Sequence, residues 1–318
     1  MEMPTKNRDI EKPASARRPS GGRAAWRPSQ LRAVVLLGGT VRNAGFGAAI
    51  KRSLLDLPIG GGINLLQHWG NEVSQLCSHL GMTKIPVRLV IGRTCFSPQG
   101  WVEAQGVHLA VERDPVEFRG TGGVLRDLAQ DYDDNDLLLV ATAHMLSMEP
   151  LTHRVDQLFA GSGDVRLLAG LNMVPAGLFV LRCGALRELS TSGFVDLKEQ
   201  GLPTIAKRHS VQVVEGSHLP AYSIRRWNDY LAALRARHQP EGPQETSPYE
   251  ENWQPMFRIV EKGAIVDPLA SIHDSVILAG GRVDAKATVV RSLVGPDGIV
   301  QRGQTVFGEM VTGAGLAE

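Results

Sequence analysis

Val260, Val266, Ile272 and Leu278 stand six residues apart, and after one step of five the spacing resumes from Val283 to Val289. Neither an α-helix, with its period of 3.6, nor a single strand, with its period of 2, produces that interval. Ala264, Ala270 and Ala287 accompany the apolar series, with Gly, Asp or Pro at the intervening turns. An apolar residue every six positions is the pattern of a hexapeptide parallel β-helix, whose stacked coils bury a thin core. The segment from Ser292 to Val300, followed by Gly303 and Val306, continues the pattern and leaves room for two or three coils. An ordinary β-meander is the alternative.

The chain before the repeat has a different grammar. An apolar run, residues 33–37, stops at Gly38 and Gly39, and residues 34–58 then carry Arg42, Gly45, Gly47, Lys51 and Arg52. A buried strand that breaks into a Gly-rich loop frees backbone N–H groups at its carboxyl end, where open α/β sheets bind ligands and can cradle phosphate. Gly60, Gly61 and Gly62 form a turn, after which Leu65, Leu66, Trp69, Val73, Leu76, Cys77 and Leu80 recur at helical steps. Residues 86–91 and 107–111 read as strands, which completes a βαβ pattern and predicts a mainly parallel sheet.

Arg119, Gly120, Thr121, Gly122 and Gly123 open a further helix. Glycines at a helix N-terminus allow a ligand to approach the backbone, and the positive helix end favours anions; a plain Gly-rich turn is the other reading. Residues 137–141 (LLLVA) are the most apolar strand and predict a central position, with Thr142, Ala143 and His144 close to the first loop. Helices are expected at residues 155–159, 185–189, 194–202 and 224–238, and strands at 165–169, 177–181 and 211–214. The helix from 194 is expected to end at Pro203. A lone histidine at a strand end, His144 reads as a hydrogen-bonding or packing residue.

Composition supports this division. With 43% hydrophobic residues the chain can bury a substantial core, and its net charge of +1 gives no overall attraction to nucleic acid or membrane. Residues 1–32 are basic, rich in Pro, Ser and Gly, and read as a disordered tail. Early acids argue against a transit peptide, and an apolar secretion segment is missing. Residues 239–255 turn to Pro, Gln, Glu and Ser and predict a linker. The expected organisation is a tail (1–32), an α/β domain (33–238), the linker, a β-helix (256–310) and a short tail (311–318). Cys77, Cys95 and Cys183 are widely spaced and not in metal-ligand spacing; they suit a reducing cytosol. A cytoplasmic protein without a membrane span follows.

The order of these segments resembles the sugar-1-phosphate nucleotidyltransferases. Leu37-Gly38-Gly39, Thr40-Val41-Arg42 and the run from Arg52 to Leu57 are similar to the opening signature. Gly120-Thr121-Gly122-Gly123 resembles the second nucleotide loop, Ala176-Gly177-Leu178 the sugar-pocket strand, and Asp229-Tyr230-Leu231 the late helix. The resemblance covers residues 33–306. It implies a doubly wound, mixed, mainly parallel sheet with a short C-terminal left-handed parallel β-helix. Implied ligands are an NTP and a sugar-1-phosphate, or a nucleotide-sugar, with Mg²⁺ assisting transfer and pyrophosphate released.

On this resemblance Arg42, Lys51 and Arg52 are the catalytic phosphate-contacting residues. Leu37, Gly38, Gly39, Thr40 and Gly120, Thr121, Gly122, Gly123 hold nucleotide, and Ala176 and Gly177 border sugar. The family's two metal-binding carboxylates would fall near His144 and near Ser223, where no acid stands. The lysine that meets the sugar phosphate has no counterpart in residues 166–172. Asp56, Asp114 and Asp196 are the candidate substitute acids. Two functions follow: active nucleotidyl transfer, or a catalytically impaired relative that binds nucleotide or nucleotide-sugar and regulates or scaffolds an active partner. Homo- or hetero-oligomers are expected on either.

Overall fold

A computed structural model describes residues 26–39, 44–114, 119–216, 219–239, 256–313 and 315–317. Strand β1 (Leu31–Leu37) is followed by the short helix α1 (Ala44–Ala49) and by α2 (Leu65–His79). A reciprocal cap starts α2: Asn64 accepts from the Gln67 N–H while Gln67 accepts from the Asn64 N–H. Strands β2 (Ile85–Ile91) and β3 (Val107–Arg113) precede α3 (Gly120–Leu128), then come β4 (Leu137–Thr142), β5 (Met145–Ser147) and α4 (Leu151–Phe159). Next are β6 (Val165–Ala169), β7 (Pro175–Arg182), α5 (Cys183–Leu186), α6 (Leu202–Ile205), β8 (Val211–Glu215), β9 (Ala221–Ser223) and α7 (Trp227–His238).

The main sheet has the order β3-β2-β1-β4-β7-β6-β8. Only β7 runs against its neighbours: β4 and β6 pair with it antiparallel, whereas the β1–β2, β1–β4, β2–β3 and β6–β8 pairs are parallel. The buried strand β4 is therefore central, as its unbroken apolar run predicts. On one face lie the apolar sides of α2, α4 and α7; on the other, α3, α5 and α6 cover Ala33, Val35, Leu138 and Val140. The carboxyl ends of β1, β2, β4, β6 and β8 share one edge of the sheet.

Ten short strands follow residue 256, from β10 (Arg258–Val260), β11 (Ile265–Val266), β12 (Ser271–His273) and β13 (Ser275–Ile277) through β14 (Arg282–Val283), β15 (Thr288–Val290) and β16 (Leu293–Val294). The series ends with β17 (Ile299–Val300), β18 (Thr305–Phe307) and β19 (Met310–Thr312). They stack in three parallel sheets whose paired residues are 17 apart, as in Arg258 with Ser275, Val276 with Leu293 and Leu293 with Met310. Strand β20 (Gly315–Ala317) pairs antiparallel with β19. This is a parallel β-helix.

Its interior corrects the sixfold register at two positions. Val266, Ile272, Ile277, Val283, Val289, Val294, Val300, Val306 and Val311 point inward, so the steps run six, five, six. Val260 is 40% exposed, and Leu278 is buried in the α/β core and not inside the coils. The five-residue step falls at Asp274 (φ 46°), a corner repeated at Arg291 (φ 48°) and Gly308 (φ 67°). A left-handed residue turns the chain there one residue sooner. Because Ile277 and Leu278 are both apolar, periodicity alone assigns the wrong one inward.

Two other expectations differ. Residues 194–202 do not form one helix: Asp196 accepts from the Lys198 and Glu199 N–H groups and caps a single wide turn, Leu197–Gly201. Pro203 then stands in the first turn of α6 and does not end a helix, which suits a residue lacking an N–H. Strands β5 and β9, three residues each, are too short to carry a periodic signal and lie in stretches to which the sequence assigned no element.

Candidate functional site

The carboxyl edge of the sheet gathers most of the residues singled out by the sequence. Leu37 ends β1 buried, and the Gly38 N–H donates to the Val90 carbonyl at 2.8 Å. A Cβ on Gly38 would lie 2.9 Å from the Leu89 side chain, so the loop leaves β1 pressed against β2. Gly39 turns with φ 126°, and its carbonyl accepts from the Gly92 N–H and from the Cys95 thiol. Thr40 and Arg42 lie outside the described residues.

Lys51 and Arg52 meet the β-helix. Lys51 Nζ lies 2.9 Å from Asp297, with both side chains about two-thirds exposed (67% and 66%). Arg52 Nη1 lies 2.8 Å from Glu261, and here the side chains are only 20% and 23% exposed. Arg52 Nε and Nη2 are buried without a hydrogen-bond partner among the described residues. Glu261 is fixed in turn by the Ala279 N–H.

Gly120 to Gly123 sit under a neighbouring segment. Gly120 has φ 68°, and a Cβ there would lie 2.5 Å from the Val195 carbonyl oxygen. Gly122 donates its N–H to that carbonyl, Val195 donates to Arg119, and Thr121 Oγ1 accepts from the Leu197 N–H. Arg119 grips Asp127 through Nε and Nη2. Glycine is required here because chain packs against chain, and the first-turn donors of α3 are partly taken by Val195.

Ala176 and Gly177 begin β7 at the same edge. Gly177 has φ 68°, and a Cβ there would approach Met145 to 2.9 Å and Thr142 Oγ1 to 3.3 Å. The end of β4 and the start of β7 thus touch. Beyond β4, the β5–β9 pairing sets Met145 opposite Ser223, and the Ile224 N–H donates to the His144 carbonyl. His144 and Ser223, far apart in sequence, become neighbours. Arg225 joins them, donating from Nε to Ser223 Oγ at 3.2 Å. Burial, with a smaller contribution from the Arg225 charge, pushes the His144 pKa down to about 4.

This donor set does not fit a divalent cation. Mg²⁺ takes carboxylate and water oxygens, whereas a neutral imidazole, a hydroxyl and a guanidinium stand at these neighbouring positions. Among the described residues no three His, Cys, Asp or Glu side chains converge. Two of the substitute acids, Asp56 and Asp196, serve elsewhere. Asp56 accepts from the Gln99 and Gly100 N–H groups, its pKa raised chiefly by burial. Asp196 caps the turn described above, and Asp114 is buried just after β3.

Sequence reading missed a cavity of ≈ 190 Å³ beside Ala176. Its walls come from the end of β6, the start of β7 and the start of β9, and its floor holds Glu149 and Arg154. Arg154 is 4% exposed on the inner face of α4, alongside Leu151, Val155 and Leu158. A charged residue on the apolar stripe of that helix was the available signal.

No family model and no curated protein matches the chain. Among solved structures it is similar to a candidate glucose-1-phosphate thymidylyltransferase from Bacillus anthracis in complex with sucrose, with TM-score 0.47 and 14% identity over 67% of this chain and 98% of that one. It is also similar to HddC from Yersinia pseudotuberculosis (TM-score 0.43, 12% identity, 64% of this chain and 99% of that one) and to the same protein complexed with GMP-PN (TM-score 0.45, 12% identity, with the same coverage). The class defined by the coordinates themselves is a mixed, mainly parallel α/β sheet joined to a parallel β-helix. Among the described residues no helix is long and apolar enough to cross a membrane.

Proposed function

We propose that this protein is a nucleotidyltransferase-like binder of nucleotide or nucleotide-sugar in which metal-assisted transfer is lost or severely impaired. One observation carries the reading: the β5–β9 pairing brings together the two positions where carboxylates were expected, and they are His144 and Ser223 with Arg225 beside them. Nucleotidyl transfer crowds phosphate oxygens whose charge must be neutralised. A neutral imidazole cannot recruit Mg²⁺ for that task, while the fixed cation Arg225 can attract a phosphate without a metal.

In this reading the Gly38–Gly39 turn and the Gly120 loop border the nucleotide, Arg42, Lys51 and Arg52 supply phosphate contacts, and Ala176 and Gly177 border the sugar. Arg52 can serve only by exchanging Glu261 for phosphate. The function of such a binder is regulation of, or assembly with, an active relative.

The test is calorimetric titration of the full chain with the common NTPs and nucleotide-sugars, with EDTA and with Mg²⁺, paired with a pyrophosphate-release assay over sugar-1-phosphates. Binding that survives EDTA, without pyrophosphate release, is expected. Mg²⁺-dependent turnover would establish the alternative, active transfer from NTP to sugar-1-phosphate. Absence of binding to every nucleotide would end both.

A further inference from the structure

Strand β3 closes one side of the main sheet and offers a regular outer edge. It is the first strand in the order β3-β2-β1-β4-β7-β6-β8, and it pairs in parallel with β2 from Val107 to Arg113 without a shift in register. The Ile85 N–H donates to the Gly106 carbonyl and the Asp114 N–H to the Ile91 carbonyl, which fixes the phase of that ladder. His108, Ala110 and Glu112 therefore turn their backbone groups to β2, while those of Val107, Leu109, Val111 and Arg113 point away from the sheet. Val107 donates back to the Ala104 carbonyl, but among the described residues Leu109, Val111 and Arg113 make no backbone bond on the outer side. The strand holds no proline and no bulge, and Val111 is 45% exposed. An edge of this kind is a template for another strand.

We propose that this edge pairs antiparallel with the β3 edge of a second copy, about a two-fold axis through Ala110, and so joins two seven-stranded sheets into one. The proposal does not depend on the nucleotide reading. Side chains select β3 itself as the occupant. The axis sets Leu109 against the partner's Val111, and Val111 against the partner's Leu109, as hydrogen-bonded pairs in which the outward N–H and C=O groups of both strands meet. On the opposite face His108 brings a ring N–H to the partner's Glu112, a carboxylate that Arg88 holds in place through Nε and Nη2. Ala110 meets its own copy at the axis, where the smallest side chain of the strand allows close approach. Other registers match less well. Moving the axis to Leu109 sets Glu112 opposite Gly106, and moving it to Val111 sets Leu109 against Arg113. The contact is isologous and occupies both β3 edges, so it stops at a dimer.

Sedimentation velocity on the full chain at about 1–200 µM tests the pairing, since so narrow a contact should dissociate at about 10 µM. A concentration-dependent dimer is expected. Val111→Pro removes an outward N–H and none that β2 uses, so it should weaken the dimer at least about tenfold while the chain stays folded, as proline does on an edge strand. Ala110→Cys should link two chains by a disulfide on diamide oxidation. Opposed residues in a non-hydrogen-bonded pair lie about 4.5 Å apart, within the range of about 4.4–6.8 Å that a disulfide spans. His108→Cys lies on the same face but off the axis and should not link, and wild type is the blank for Cys77, Cys95 and Cys183. A monomer throughout the range, a dimer that Val111→Pro leaves intact, or His108→Cys linking as readily as Ala110→Cys would each overturn the proposal. The two cysteine variants decide even if the proline variant does not fold.

Discussion

Replacing Glu261 by Gln removes one charge and almost no volume, and it tests whether Arg52 is first a link between the α/β unit and the β-helix. Arg52 Nη1 and Glu261 Oε1 are 2.8 Å apart with side chains 20% and 23% exposed. An exposed pair contributes about 0–1 kcal/mol, and breaking a fully buried one costs about 3–5 kcal/mol; this intermediate pair should cost about 2 kcal/mol. Gln can keep the bond from the Ala279 N–H only by turning its NH2 toward Arg52, so the loss combines the charge with the Arg52 hydrogen bond. Asp297→Asn is the internal control. Its partner Lys51 is 67% exposed, and Asn tolerates the left-handed backbone at φ 59°, so it should cost less than about 0.5 kcal/mol. Urea unfolding at constant slope measures both. High salt should erase the Asp297 effect and spare most of the Glu261 effect. Equal costs for the two variants, or less than about 0.5 kcal/mol for Glu261→Gln, would refute the structural role. Nucleotide affinity supplies a second readout: Glu261→Gln frees Arg52 and should tighten phosphate binding if Arg52 reaches the ligand.

Gly120→Ala should destabilise by more than about 2 kcal/mol in the same unfolding assay, because it combines positive φ with a Cβ 2.5 Å from the Val195 oxygen. Ile277→Ala should cost about 2–5 kcal/mol, whereas Val260→Ser should stay within about 0.5 kcal/mol; comparable costs would contradict the register of the coils. Burial, with help from nearby arginines, pushes both His68 and His144 down to about 4. The unfolded chain therefore binds more protons between pH 6.5 and 4, stability is lost as pH falls through that window, and His68→Asn/His144→Asn should flatten the unfolding-midpoint profile. Finally, His144→Asp/Ser223→Asp should gain Mn²⁺ affinity by electron paramagnetic resonance; no gain would mean that the paired positions do not face a common space.

The elements that were legible in the sequence are those whose burial is periodic. Strand β4 announces its central place by five consecutive apolar residues, and α2 announces its inner face from Leu65 to Cys77. The β-helix was legible as an architecture but not to the residue. Its step of five is set by backbone conformation at Asp274 and Arg291, and Asp or Arg does not advertise positive φ as glycine does. Strands β5 and β9 were invisible because they owe their existence to each other, with only three residues apiece.

That last pair explains why the site was harder to read than the fold. Sequence order shows which residue types stand at His144 and at Ser223, but not that the two positions meet, nor that Arg225 comes with them. The glycines mislead in the opposite sense. Gly120 and Gly122 fit the expectation of a ligand loop, yet each is also demanded by contact with Val195, so glycine there is explained before any ligand is invoked. Arg52 is similar, since Glu261 accounts for its charge. The features that packing leaves unexplained are polar atoms buried and unpaired among the described residues, which include Arg52 Nε and Nη2, Arg154 Nε and Gln157 Oε1. Leaving such a group unpaired costs of order 1–3 kcal/mol, so these groups, and not the glycines, are what packing alone does not account for.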